Sequence, residues 1–242
     1  MEAKEKNSSI FISLITNFLL MLGKGTAGLM ANSNALVADA VHSMSDVIFF
    51  LINYRACKEC QMYSRIDKKR NSQKISQRIV QTEARATYYT GIILFTIGMT
   101  ICFHNFMILV LDKAEKPDSI TVIVAFIALG VYAWLYKYLK GTDSKEEACF
   151  LTTKNTCWQN KLNLISGTVV VVGLIGTMFG FIFMDEFAAI VVGSIILSMG
   201  IKLFIEAVEH SHFVTKYSGG LVVVCSILAS IILTVISLSI QL

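Results

Sequence analysis

Seven apolar runs, each near twenty residues, dominate this chain: about 8–30, 34–54, 87–111, 119–139, 156–182, 187–208 and 219–241. A hydrocarbon core about 30 Å thick takes roughly 20 helical residues to cross. Backbone groups left unpaired in lipid are too costly to tolerate, so runs of this kind are helices. The pattern predicts an all-α, polytopic membrane helix bundle. Composition agrees, because 55% of the 242 residues are apolar and only 16% are charged, a balance a water-soluble domain of this size does not show. One proline, Pro117, leaves the runs free to form long helices.

The cations set the orientation. Arg55, Lys58, Arg65, Lys68, Lys69, Arg70, Lys74, Arg78 and Arg85 crowd the segment between the second and third runs. Lys140, Lys145 and Lys154 fall in the next loop on that side, and Lys216 in the one after. The opposite loops hold only Lys113 and Lys116. Positive charge stays in the cytoplasm, so the N-terminus is expected to be cytoplasmic; the membrane expected is the plasma membrane. The basic stretch also fits a nucleic-acid or lipid patch, but aromatic residues hardly interleave it, and nucleic acid is not expected as a partner. The run from Ile10 is read as the first span rather than a cleaved leader.

Six cysteines add little. Cys57 and Cys60 form one CxxC, a weak metal signal without a second pair, and two reduced thiols are the plainer reading. No nucleophile–base set and no phosphate-cradling glycine loop occurs, so an enzyme is not expected. Ser43 and Ser45, beside His42, read as helix-packing residues.

Ionisable groups inside a span are expensive and mark functional sites by default. The second run contains Asp39, His42 and Asp46. Spacings of three and four put them on one helix face. An imidazole and a carboxylate one turn apart suit zinc, manganese or iron. The same stripe also suits an interhelical hydrogen-bond cluster with no metal, and spacing alone leaves both open. Lys24, in the first run, has the reach to pair with Asp39.

The stretch Ser33–Asp46 resembles the second-span signature of cation diffusion facilitators, with His42 and Asp46 at the two ligand positions of an HxxxD pair and Asp39 at a common position that is not usually a ligand. Lys24, Gly28 and the Asp185–Ala189 opening of the sixth run are similar to further family positions. The resemblance implies six facilitator-like spans over residues 1–210, followed by a linker and an extra seventh helix over 211–242, where relatives carry a cytosolic domain. It implies transport of a divalent cation (zinc, manganese, iron, cobalt or cadmium) by efflux against protons, with no bound cofactor. It also implies a dimer, with itself or with a complete homologue.

The fifth run departs from the pattern. Its ligand positions are held by Gln159 and Asn163, two amides four residues apart on one face. Amides are poor zinc ligands and suit harder cations. They can instead bond across to His42 and Asp46 in place of a metal. The metal site implied is His42, Asp46, Gln159 and Asn163; the alternative is a partner subunit or scaffold that does not transport. His210 and His212, near Glu206 and Glu209, read either as a cytosolic metal-capture patch or as interfacial polar residues.

Overall fold

The computed structural model describes residues 2–48, 51, 72–141 and 150–210, with side chains described over 12–48, 84–138 and 161–205 and at 51, 81 and 207. Six helices account for nearly all of it: α1 (Glu2–Met30), α2 (34–48), α3 (Ser72–Val110), α4 (Ile120–Gly141), α5 (Phe150–Met178) and α6 (Met184–His210). Five contain stretches long and apolar enough to cross a membrane: Ile12–Met30, Ala84–Val110, Ile120–Tyr138, Lys161–Met178 and Met184–Ile205. The described part of α2 covers 34–48, and the seventh run, 219–241, lies outside the described residues, as do Cys57, Cys60 and His212.

Hydropathy located the apolar middles better than the helix ends. The third run was expected to start near residue 87, but α3 begins at Ser72 and carries its polar first turns without a break. The fifth run was expected to reach 182, but α5 stops at Met178. The reason is local geometry. Gly180 adopts a φ of 98°, and the Phe181 and Gly180 amides donate back to Gly176 and Thr177, which closes the helix with a left-handed residue after its last turn. The same closure ends α3, where Asp112 has a φ of 52° and Lys113 N–H reaches the Ile108 carbonyl. It also ends α1, where Asn32 has a φ of 51° and Ser33 N–H reaches Gly28. Short polar side chains tolerate this region better than most.

The three turns gather at one end of the bundle. Asp118 N–H donates to the Ala31 carbonyl. Asp185, in the first turn of α6, accepts from Ser33 Oγ at 2.8 Å and from the amides of Asn34 and Ala35. Ser33 Oγ in turn accepts from Leu36 N–H, the N-cap bond of α2.

Glycine sets how closely α3 and α6 approach. Gly91 and Gly98 on α3 face Gly193 and Gly200 on α6, each pair seven residues apart. A Cβ added at Gly98 would lie 2.6 Å from Leu197 N, and one at Gly200 would lie 2.5 Å from Phe95 N. Backbone meets backbone here, the packing that small residues permit in lipid. The apolar core runs through Leu36, Leu94, Val170, Leu174, Val192 and Ile196, which places α2, α3, α5 and α6 around it.

Candidate functional site

The interior between α1, α2, α4 and α5 is polar. Lys24, Asp39, His42, Ser43, Asp46, Tyr132, Asn163 and Ser166 are all buried, none exposed by more than 1%. Asp39, Ser43 and Asp46 lie on one stripe of α2, and their spacing directs them inward together.

Lys24 forms the upper part of this centre. Its Nζ donates to Asp39 Oδ2 at 2.8 Å, Ser43 Oγ at 2.6 Å and Tyr132 OH at 2.7 Å. Ser166 Oγ donates to the other oxygen of Asp39 at 3.1 Å. One ammonium thus joins α1, α2 and α4, and Asp39 extends the network to α5. A buried charge pair stands against its desolvation only when the remaining polar groups are satisfied, and here both partners have them.

One turn further along α2 the accounting differs. Asp46 Oδ2 accepts from Asn163 Nδ2 at 2.5 Å, which joins α2 to α5. The amide is oriented by chemistry, since only its nitrogen can donate to a carboxylate. Asn163 Oδ1 then has no partner among the described residues. Neither ring nitrogen of His42 has one. Buried polar atoms normally find partners, and these three do not find one among the described residues. Among the described residues, no group of three or more His, Cys, Asp or Glu is placed to share one metal ion.

The residues singled out in the sequence divide accordingly. Asp46 and Asn163 come together in one buried contact, and His42, one turn before Asp46 on α2, is buried as well. Gln159 belongs to α5, but its side chain lies outside the described set, as does that of His210. Lys24 pairs with Asp39. His104, on α3, is half-buried.

Of the other members, Ser43 was read only as a helix-packing residue, whereas its Oγ takes the Lys24 ammonium; Ser166 and Tyr132 were not singled out. Ser43 follows Asp39 by four residues and Ser166 follows Asn163 by three, so helical spacing was signal enough. Tyr132 had none, being one aromatic residue in an apolar run. Asn17, an amide within the first run and fully buried, was there to be noticed.

Helices of membrane-crossing length around a buried, charged centre define a polytopic integral membrane protein. The chain belongs to the cation efflux family: the family's transmembrane-domain model matches residues 10–210. It is similar to the magnetosome protein MamB of Magnetospira sp., with 25% identity over 77% of this chain and 60% of that protein. Metal tolerance protein 2 of rice is 25% identical over 84% of this chain and 57% of that protein. The manganese efflux system protein MneS of Bacillus subtilis is 22% identical over 87% of this chain and 69% of that protein. The chain thus spans about three fifths of the length of the first two.

Proposed function

We propose that this chain moves a divalent metal cation across a membrane, through the centre that joins α2 to α5. The observation that carries the reading is the set of unpartnered buried atoms on His42 and Asn163 around the Asp46 carboxylate. Atoms of these types, on facing helices, are what a dehydrated cation needs in place of its water. Family membership and the printed names of the relatives, among them a metal tolerance protein and a manganese efflux system protein, support the same substrate class. His42, Asp46, Gln159 and Asn163 are the proposed ligands. Proton antiport, a cytoplasmic N-terminus, a plasma-membrane location and dimerisation belong to this proposal as well.

One contact favours a second reading. Asn163 Nδ2 already holds one oxygen of Asp46, so the centre has an internal substitute for a cation. A subunit closed in this way would accompany a complete homologue rather than transport by itself.

The test is metal-driven flux in proteoliposomes holding this chain alone, screened with zinc, manganese, iron, cobalt and cadmium. Saturable flux that is lost in Asp46→Ala establishes transport through this centre. Flux that survives Asp46→Ala at the original rate removes the centre from the pathway. No flux with any ion, together with co-purification of a complete homologue, favours the second reading.

A further inference from the structure

We infer that Asn17, on α1, supplies a further oxygen ligand to the cation held at His42, Asp46 and Asn163, and that this oxygen-rich set takes a hard or borderline divalent ion of the manganese type. The inference rests on the transport reading above and adds a helix to its site.

The register of α1 against α2 carries the argument. The two helices run antiparallel from the turn at Asn32. Lys24 meets Asp39 and Ser43, and a Cβ at Gly25 would lie 3.6 Å from that of Ala40. Asn17 precedes Lys24 by seven residues, and Asp46 follows Asp39 by seven. Seven residues are about two turns, roughly 10.5 Å along the axis, and return nearly to the same face. Asn17 therefore sits at the depth of Asp46, on the face of α1 from which Lys24 enters the interior.

The state of the side chain is the second observation. Asn17 is 0% exposed. Its Nδ2 donates to the Ser13 carbonyl at 2.9 Å. That bond fixes which end of the amide is which and leaves Oδ1 as the free end. Oδ1 is buried and has no partner among the described residues. An amide oxygen left open in an apolar span is costly. At the depth of Asp46 it joins Asn163 Oδ1 and the His42 ring nitrogens as an open position.

Donor chemistry then sets the ion class. Two amide oxygens, one carboxylate and one imidazole form a set that suits manganese better than zinc, which favours thiolate and imidazole. Charge points to the decisive variant. Lys24 and Asp39 cancel, and Asp46 is the one carboxylate in the proposed ligand set, so that set brings one negative charge against the ion's two. Asn17→Asp keeps the side chain's shape and supplies the second.

The experiment measures equilibrium Mn2+ binding to the full chain in detergent by electron paramagnetic resonance, for the wild type, Asn17→Leu, Asn17→Asp and Asp46→Ala. Asn17→Leu is expected to weaken Mn2+ binding by about tenfold or more, the scale on which even an outer-shell partner of a metal site acts. Asn17→Asp is expected to bind Mn2+ more tightly than the wild type. Wild-type affinity in Asn17→Leu overturns the inference and leaves the transport reading standing, provided Asp46→Ala still abolishes binding. If Asn17→Leu does not fold, Asn17→Asp decides alone, and unchanged or weaker binding in it overturns the inference. A wild-type chain that binds neither Mn2+ nor Zn2+ overturns both.

Discussion

Asp185 holds Ser33 across 152 residues of sequence, its Oδ1 accepting the serine hydroxyl at 2.8 Å. Its other oxygen takes the first two amides of α2. The carboxylate therefore caps a helix other than its own, at the positive end of that helix's dipole. Asp185→Ala leaves these donors without their acceptor and is expected to cost about 1–3 kcal/mol. Thermal unfolding of the purified chain in detergent reads this out, and Asp185→Asn should recover part of the loss. A melting profile identical to wild type in Asp185→Ala would mean the cap is dispensable.

Lys24→Met should be more damaging than removal of either hydroxyl around it, that of Ser43 or of Tyr132. It strands the Asp39 carboxylate in the interior, and breaking a buried pair in this way costs about 3–5 kcal/mol. Adding Asp39→Asn removes the stranded charge. The double variant should therefore be more stable than Lys24→Met alone, which the same thermal assay detects. Equal stability of the single and double variants would argue against the ion pair as the main link.

Gly98→Ala should weaken the α3–α6 contact, because the new Cβ meets the backbone of Leu197 and Gly193 and neither can yield as a flexible side chain would. Strain of about 1–3 kcal/mol is the usual cost of overfilling a packed interior. Gly130→Ala is the matched control. A Cβ there meets nothing within 4 Å, and alanine is the better helix former. If both variants melt alike, close approach is not what holds the two helices.

Gln159→His combined with Asn163→Asp replaces two amides with an imidazole and a carboxylate. The carboxylate cannot donate to Asp46, so the bridge from Asn163 is lost and a cation is needed between the two acids. Zn2+ flux in proteoliposomes is expected to rise above wild type. Unchanged Zn2+ flux in a well-folded double variant would show that these positions do not set the choice of ion.

Much of this was legible in the sequence. Apolar runs of membrane length located the five membrane-crossing stretches among the described residues, because lipid imposes one length on every helix. Asp39 and His42 were conspicuous because charge among apolar residues is expensive. The start of α3 at Ser72 was not legible, since hydropathy reports the lipid boundary and α3 continues past it. The end of α5 was misjudged because Phe181 and Ile182 extend the apolar run past the turn at Gly180. Tyr132 gave no warning, for its role depends on where Lys24 arrives from another helix.

The two bridges across α2 differ in how far apart their partners lie along the chain. Lys24 and Asp39 occupy neighbouring helices, separated by 15 residues, and can enter the bilayer together as a neutralised pair. Asp46 finds Asn163 only 117 residues later, after α3 and α4 have been made. A nascent chain halted before α5 should therefore lack the Asn163 contact to Asp46, and the accessibility of a cysteine at Ser45 in such a truncation, with Asp46 intact, would show whether α2 slips toward water. Synthesis thus has an interval in it: over the 117 residues that separate them, Asp46 waits for the amide that will hold it.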